Sequence, residues 1–408
     1  MTIMPEGGAG MSEGGTRMLD AEAKNLDAKL TLQLKQQAQQ LGFALVGVTP
    51  AVLPTRLNHF HRWLENGYAG QMLYLENRKS AYEHPSSILD GCKSLLMLGM
   101  PYLANDNQRQ PAAHSDGVGK IARYAQCGLD YHDVIRGKLK QLRKWLVQNC
   151  PGANARGVVD TAPLLEREFA EAAGLGWVGK NTLLLNRTWG SYFFLAALLT
   201  NVELQYDLPQ QTSHCGTCTA CIDLCPTSAI VAPYVLDANR CLSYVTIESP
   251  GLPPADIAAK ASGWLFGCDI CQEVCPWNRR SQCTSDATWQ PDPSSQSFDL
   301  MQVLSWSDSQ FEANLKGKPM WRAKRRGMLR NAILLAGSQR LESASIALAE
   351  KLRDEESLVR AAAAWALGEI NTESCRTTLV QAQLCELDKD VQEAIAQAVC
   401  RTATLRRG

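Results

Sequence analysis

Net charge and long apolar runs are both missing from this sequence. Its 408 residues include 41 Lys and Arg and 41 Asp and Glu, so the formal net charge is zero. This balance excludes a strong field that would draw the whole protein to nucleic acid or to an anionic membrane, and any polyanion site has to be a local patch. No run of about 18 uncharged apolar residues is present, which argues against a membrane-spanning helix.

Export signals are missing as well. Residues 1–27 are rich in glycine and contain neither the apolar stretch of a secretion signal nor a twin-arginine motif. We therefore expect a flexible leader over 1–27 in a cytoplasmic protein without a membrane partner. A monomer is the expected oligomeric state.

Cysteine, in contrast, is abundant: the chain has 15, and eight of them fall between residues 215 and 275. An odd number does not fit a pure disulfide framework, and clustered cysteines in a reducing compartment usually bind metal. We interpret the seven scattered cysteines as ordinary thiols.

The segment HCGTCTACIDLCP has the C-x2-C-x2-C-x3-C-P spacing of bacterial ferredoxins, whose fourth cysteine binds a second cluster. RCLSY and GCDICQEVCPWN supply the second set, with 26 residues between its first two cysteines. Pseudo-symmetry assigns one [4Fe–4S] cluster to a first quartet, Cys215, Cys218, Cys221 and Cys275. It assigns the other cluster to a second quartet, Cys225, Cys241, Cys268 and Cys271. Two structural zinc sites are the alternative.

Strands and helices are predicted to alternate in the N-terminal half. Apolar runs and helical spacing predict strands at 43–50, 94–103, 155–160 and 191–204, and helices at 28–42, 131–149 and 164–173. This alternation indicates an α/β domain over 28–205. A ferredoxin-like module with two [4Fe–4S] clusters would follow over 206–295.

Asp160 is the most suggestive polar residue of the α/β domain, because it follows the apolar run of a predicted strand. Such domains place their sites at strand ends, and a carboxyl group beside a buried ligand can have a raised pKa and donate a proton. Alternatively, Asp160 caps the helix predicted after it.

Two other motifs invite interpretation. Residues 174–181 resemble phosphate-binding glycine motifs, but a helix precedes the glycines and Asn181 replaces the hydroxyl that binds magnesium. We predict instead that Gly174 ends a helix and that the other glycines let the backbone approach a ligand. Asp130 and His132 resemble part of a corrinoid-binding D-x-H motif without its glycine, so a structural histidine is expected.

The C-terminal part is rich in Ala and Leu. LRNAILLAG, VRAAAAWALGEI and VQEAIAQAV recur about every 30–32 residues, which predicts α-helical HEAT-like repeats over 296–408. The preceding segment 316–330 holds seven Lys and Arg, no acid and one Trp. It is either a solvated surface or a patch that contacts RNA phosphates.

Taken together and in this order, these segments resemble the epoxyqueuosine reductase family. The resemblance spans about residues 30–400 and rests on YLENR, YHDV, DTAPLLERE with AGLGWVGKN, CGTCTACIDLCPT, RCLSYVT, GCDICQEVCPWN and the repeats. It implies an oxidoreductase that reduces epoxyqueuosine to queuosine at the tRNA wobble position, the last step of queuosine biosynthesis. The α/β domain would bind cobalamin, and the two clusters, supplied by an external low-potential electron donor, would reduce it to cob(I)alamin.

The resemblance also implies roles for individual residues. Asp160 would be the general acid. The residues expected around the cobalamin are Arg78, Asp160, Ser243, Thr246 and Asp269. The residues expected to contact tRNA are Arg167, Lys324, Arg325 and Arg326.

Two other functions fit parts of the sequence. A corrinoid reductive dehalogenase also combines cobalamin with two clusters, but such enzymes resemble exported proteins and lack the helical repeats. A non-catalytic ferredoxin-type electron carrier would explain the cysteines and leave Asp160 without a role.

Overall fold

The computed structural model describes residues 28–104 and 115–404. The predicted leader 1–27 lies outside the described residues. In the part that is described, no helix is both long and apolar enough to cross a membrane.

Helices and strands alternate along the chain. The helices are α1 (28–40), α2 (Leu57–Glu65), α3 (Leu73–Asn77), α4 (Tyr131–Asn149), α5 (Glu166–Ala172), α6 (Ala220–Asp223), α7 (Leu242–Ile247), α8 (Ala255–Ala258), α9 (Ile270–Glu273), α10 (Pro293–Gln296), α11 (Leu300–Leu304), α12 (Asp308–Leu315), α13 (Lys324–Ser338), α14 (Ser345–Lys351), α15 (Ser357–Ile370), α16 (Glu373–Gln383) and α17 (Lys389–Thr404). The strands are β1 (Leu45–Pro50), β2 (Ser94–Pro101), β3 (Val118–Ile121), β4 (Ala155–Val158), β5 (Trp177–Val178), β6 (Leu184–Leu185), β7 (Phe193–Thr200), β8 (Ile230–Ala232), β9 (Val235–Leu236), β10 (Trp264–Phe266) and β11 (Ser297–Asp299).

The central sheet has the order β1-β2-β7-β4. Strand β2 is buried along its whole length because both faces of the sheet are covered. Leu96 and Leu98 point to the side of α1 and α4, whereas Leu95 and Met97 point to the side of α5. The period of two along a strand produces this division.

All three strand pairs of this sheet are antiparallel. The predicted strands are present, but the prediction of an α/β domain is wrong in the usual sense of a parallel sheet. Alternation of helices and strands gives the order of elements, whereas strand direction depends on connections whose course the sequence does not reveal.

A second sheet joins distant parts of the chain. Strand β3 pairs with β10 in parallel and with β11 in antiparallel fashion. Its strands come from all three predicted domains, so the boundaries predicted at 205 and 295 do not separate independent packing units.

The C-terminal helices pack in layers: α13 contacts α15, and α15 contacts α17. These three helices begin at Lys324, Ser357 and Lys389, close to the predicted spacing. Helices α14 and α16 lie between them in the chain and pack against the same layer. Helix pairs are therefore present, and their assignment to the HEAT type stays a prediction.

Arg330 attaches these helices to the cysteine module. It is 1% exposed and donates hydrogen bonds to the carbonyl oxygens of Val245 at 2.6 Å and Gly251 at 2.9 Å. A buried guanidinium needs such acceptors. The long insertion between Cys241 and Cys268 of the second quartet is thereby fixed in place.

Candidate active site and cysteine module

The four cysteines of the second quartet line one cavity, and Cys215 and Cys275 of the first quartet pack together; the assignment of the eight cysteines to two clusters stays a prediction. Burial and the neighbouring Cys275, Cys215 and Cys218 raise the pKa of Cys221 to about 11. In the second quartet, burial raises the pKa of Cys268 and of Cys271, and neighbouring thiols of the same quartet raise both further. Thiols that raise one another's pKa in this way are suited to metal binding, because metal binding deprotonates them and removes the cost of their proximity.

The two quartets differ in exposure. In the first quartet Cys218 is exposed, whereas none of the second-quartet cysteines is. All four cysteines of the second quartet line a cavity of about 570 Å³. A second cavity, of about 710 Å³, shares several walls with the first, including Trp63, Tyr74 and Asp160.

Asp160 lies at the junction of these cavities, two residues after β4. Its backbone is in the left-handed region, with φ of 58°. Its Oδ2 accepts hydrogen bonds from the Tyr131 hydroxyl at 3.0 Å and from Arg322 Nη1 at 3.4 Å, and lies 3.2 Å from His132 Nε2. A non-glycine residue held in this conformation is typical of a functional site.

The structure excludes the capping alternative for Asp160. Helix α5 begins at Glu166, its N-cap is Leu165, and it has no side-chain cap. The carboxylate of Asp160 is turned away, toward α4 and Arg322. The backbone N–H of Asp160 instead donates to Glu166 Oε1 at 3.0 Å.

His132 connects two carboxylates. Asp130 caps α4 by accepting from the His132 backbone N–H at 3.0 Å, and its Oδ1 also lies 2.7 Å from His132 Nδ1. Burial opposes protonation of His132, but the hydrogen bonds and charges of Asp130 and Asp160 outweigh it and raise the pKa above 6.5. His132 is therefore both held in place by two carboxylates and able to be protonated beside Asp160.

The environments of Asp160 and Glu166 separate their pKa values. Burial alone would raise the pKa of Asp160, but the hydrogen bond from His132, the charge of Arg322 and the hydrogen bond from Tyr131 lower it to about 2. Burial and the charge of Asp160 raise the pKa of Glu166 to about 8. The predicted raised pKa of Asp160 is therefore wrong, because three donors converge on its carboxylate.

The residues expected around cobalamin divide into two sets. Ser243 and Asp269 line the 570 Å³ cavity together with Asp160. Asp269 is 1% exposed, and it accepts hydrogen bonds from the Arg123 backbone N–H at 2.7 Å and from Gln272 at 2.8 Å. A buried salt bridge to the Arg123 guanidinium at 3.1 Å completes the surroundings of the Asp269 carboxylate.

Thr246 and Arg78 are not part of either cavity wall. The Thr246 hydroxyl donates to Leu242 O at 2.8 Å and accepts from Gly267 N at 2.9 Å, which holds α7 against the loop before the second quartet. Arg78 donates to Thr161 O at 3.3 Å. Thr246 and Arg78 therefore hold segments next to the cavity in place. Neither residue lies where it would touch a ligand in the cavity.

The glycine segment packs against protein. Gly174 has φ of 77° directly after α5, as predicted for a helix end. A Cβ on Gly176 would lie 2.0 Å from the carbonyl oxygen of Leu185, so the close approach made possible here is to strand β6 and not to a ligand. Lys180 Nζ donates to the carbonyl oxygens of Gly216 and Cys218 at 2.7 and 2.9 Å.

The residues expected to contact tRNA lie in different settings. Arg167 lines both cavities. Lys324 is exposed, and Arg326 is 45% exposed with Glu356 at 3.8 Å. Arg325 is only 14% exposed and is bound to Trp306 O and to Asp354, each at 3.0 Å. Arg325 is therefore a structural residue, which corrects its expected role at the tRNA surface.

Sequence reasoning did not single out three residues of the site, and it interpreted a fourth, His132, as structural. Tyr131, His132, Glu166 and Arg322 surround Asp160, although all four belong to segments that were noticed for other reasons. Arg322 pairs with both Asp160 and Glu248 at 3.4 Å. Local spacing in the sequence cannot predict that Arg322 lies beside the end of β4. The proximity arises from the packing of the C-terminal segment against the N-terminal domain.

Two family profiles match parts of this chain. Residues 214–278 match the family profile described as "4Fe-4S double cluster binding domain", and residues 83–161 match "Epoxyqueuosine reductase QueG, DUF1730". An epoxyqueuosine reductase from Pseudomonas aeruginosa is 39% identical over 344 residues, which are 83% of this chain and 94% of that protein.

Solved structures agree with the sequence comparison. Epoxyqueuosine reductase bound to an epoxyqueuosine-modified tRNA-Tyr stem loop superimposes with a TM-score of 0.85 at 29% identity, covering 92% of this chain and 99% of that one. The Bacillus subtilis epoxyqueuosine reductase, with its catalytic aspartate loop swung out of the active site, gives 0.83 at 28% identity and covers 91% and 99%. The chain is an oxidoreductase and belongs to the epoxyqueuosine reductase family.

Proposed function

We propose that this protein reduces the epoxide of epoxyqueuosine in tRNA to the alkene of queuosine, with two [4Fe–4S] clusters and a bound cobalamin. The single observation that carries the proposal is that Asp160 and the second quartet line one cavity. Converting an epoxide to an alkene and water consumes two electrons and two protons. A cavity with cluster ligands on one wall and a proton-handling group on another supports that chemistry.

The quartets are the proposed cluster ligands. The first quartet would hold the cluster nearer the surface, and the second would hold the cluster beside the cavity. Helix α6 carries Cys221 and helix α9 carries Cys271, and these two helices pack against each other. Their contact supports transfer of electrons from the first cluster to the second.

The joined cavities are the proposed cobalamin site. Their volumes of about 570 and 710 Å³ together suit a ligand much larger than an ordinary metabolite. Ser243 presents a hydroxyl to this space without a hydrogen-bond partner among the described residues. When bound, cobalamin supplies a low-potential cobalt centre that can act as a nucleophile toward the epoxide.

Asp160 is the proposed proton donor to the epoxide oxygen. Because its pKa of about 2 leaves it ionised at neutral pH, it needs a proton from a neighbour. His132 Nε2, 3.2 Å from Asp160 Oδ2, is the nearest carrier, and Asp130 stabilises its charged form from the other side. We propose a relay in which His132 protonates Asp160 and Asp160 passes the proton on.

The tRNA would enter from the side of Arg322. Arg322 lines the cavity, and the adjacent Trp321 is 41% exposed and stacks on Phe311. Lys324 and Arg326 follow on the exposed side of α13. This arrangement supports insertion of an unpaired base while the two cations contact phosphates.

Asp160→Asn tests the proposal. Loss of the acid should lower single-turnover conversion of an epoxyqueuosine-containing stem loop by about 10²–10⁴-fold, while iron content, cobalamin retention and stem-loop affinity stay unchanged. Asp256→Asn is the matched control, because Asp256 is exposed and has no partner among the described residues. Wild-type turnover of Asp160→Asn would remove Asp160 from the mechanism, and a pure electron carrier would convert no stem loop at all.

A further inference from the structure

The first quartet reaches the surface at one loop. Cys218 is its exposed member, and the neighbouring residues 216, 217 and 219 are exposed as well. Cys275 and Cys215 pack beneath this loop against Trp177 and Trp277. No cysteine of the first quartet lines either cavity. This loop is therefore a place, within the part of the chain that the structure describes, where a second protein can come close to the first quartet without entering the cavity.

Basic side chains contact that loop or flank the cysteines of the first quartet along the chain. Lys180 donates to the loop carbonyls of Gly216 and Cys218. Arg187 Nη2 lies 2.8 Å from the His214 ring, next to the first cysteine of the quartet. Arg279 and Arg280 are exposed in the turn that follows the last cysteine.

These charges are largely uncompensated. Within the described chain, neither Arg279 nor Arg280 has a carboxylate partner, and Lys180 and Arg187 use neutral acceptors. The nearby acid Asp223 accepts a hydrogen bond from Thr219 at 2.6 Å. On a chain with equal numbers of acidic and basic residues, such a patch is a local feature that favours an acidic partner.

We propose that this entry surface, formed by Lys180, Arg187, Cys218, Arg279 and Arg280, docks an acidic one-electron carrier protein. The inference deepens the proposed function by naming the class of electron donor, and it rests on that function for the use of the electrons. In each encounter the carrier is oxidised by one electron and the first cluster is reduced by one, so two encounters supply the two electrons for each alkene formed.

RNA is the competing polyanion, and the location of the patch argues against it. The proposed tRNA surface consists of exposed cations beside Arg322 and the cavity, whereas the entry surface belongs to the quartet that lies outside the cavity. A substrate whose reacting base is in the cavity gains nothing from cations around Cys218. A carrier that must approach the first cluster gains an association rate that depends on these cations.

The test is a double charge reversal, Arg279→Glu with Arg280→Glu, in the cluster-loaded protein. The probe is a negatively charged [2Fe–2S] ferredoxin, whose affinity is measured by calorimetry and whose rate of cluster reduction is measured by stopped flow. At low salt we expect both to fall about tenfold or more, and salt should slow the wild type more than the variant. Lys140→Glu with Lys144→Glu, two exposed lysines on α4, is the matched control and should behave as wild type.

Reduced methyl viologen separates docking from damage, because this small reductant should reduce the clusters of both proteins equally fast. Arg280→Gln provides a milder variant, with an expected loss of about threefold. Equal ferredoxin affinity and rate in wild type and variant would overturn the proposal, as would a variant that loses stem-loop affinity instead. The ferredoxin and methyl viologen measurements use neither tRNA nor cobalamin, so failure of the proposed tRNA chemistry would leave their outcome unchanged.

Discussion

The two cysteine quartets come from one repeated motif but occupy opposite environments. The first lies in a compact loop, has an exposed cysteine and is surrounded by cations. The second is stretched by an insertion, has no exposed cysteine and forms part of the cavity wall that includes Asp160. The insertion is held by Arg330, which belongs to the C-terminal helices.

This difference gives the module a direction. Among the described cysteines of the two quartets, only Cys218 of the first is exposed, and only those of the second line the cavity. In the proposed function, electrons therefore enter at the first quartet and leave for the cavity at the second.

Removing one cysteine from each quartet should break the comparison most severely. Cys271→Ala should lower iron to about four per chain and abolish turnover, while ferredoxin still reduces the remaining cluster. Cys218→Ala should abolish turnover and also the fast reduction by ferredoxin. Iron analysis and stopped-flow reduction distinguish the two variants.

Cys385→Ala is the control, since this exposed cysteine belongs to neither quartet. If Cys218→Ala and Cys271→Ala lost cluster reduction by ferredoxin to the same extent, electrons would not enter the module at the first cluster, and the proposed order of the two clusters would be contradicted.

The pH dependence of turnover tests the proposed role of the residues around Asp160 in the cavity. The raised pKa of His132 means that its protonated fraction falls as pH rises through that value, so single-turnover rates should fall with rising pH. His132→Asn should lower the rate about 10²-fold and leave a flat profile over the same range.

Glu166→Gln separates His132 from the other titrating group. Glutamine imitates the protonated carboxyl that a pKa of about 8 maintains at neutral pH, and it keeps an acceptor for the Asp160 N–H. We expect the single-turnover rate of Glu166→Gln to be close to that of the wild type at neutral pH and to fall with rising pH as the wild-type rate does. A flat profile in Glu166→Gln would transfer the proton-donor role to Glu166.

The smallest effect is expected at the tRNA surface. Lys324→Glu with Arg326→Glu should weaken stem-loop binding about tenfold at low salt and reduce the salt slope by roughly two contacts. Turnover at saturating stem loop should stay near the wild-type value. Binding titrations across a salt series measure both quantities.

Arg325→Ala is the informative neighbour. Its loss leaves Asp354, whose side chain is 5% exposed, without its closest charge partner. We expect a cost of about 3 kcal/mol in the free energy of unfolding with little change in the salt slope. If the salt slope of stem-loop binding changed in Arg325→Ala and not in the Lys324→Glu with Arg326→Glu variant, Arg325 would be the residue that contacts tRNA, and the proposed roles would be wrong.

Local sequence patterns predicted much of this molecule. The spacing of the clustered cysteines predicted a domain that binds two clusters, helical periodicity predicted α4 at its observed bounds, and the apolar runs predicted the four strands of the central sheet. These features depend on short-range geometry, which the sequence displays directly.

What escaped prediction depends on packing between distant segments. The antiparallel direction of the sheet, the burial of Arg325 and the position of Arg322 beside Asp160 all require the folded arrangement. The pKa of Asp160 was expected to rise, and it is lowered because two donors from α4 and Arg322 from a distant segment converge on one oxygen. The spacing of residues in one sequence does not reveal that these donors meet at Asp160.

Metal analysis of the anaerobically purified protein after incubation with cobalamin tests the central claim most directly. The account predicts about eight irons and about one retained cobalt per chain, with the cobalt reduced when ferredoxin delivers electrons. Eight irons without retained cobalamin, or zinc in place of iron, would contradict a cavity that is fed by two clusters.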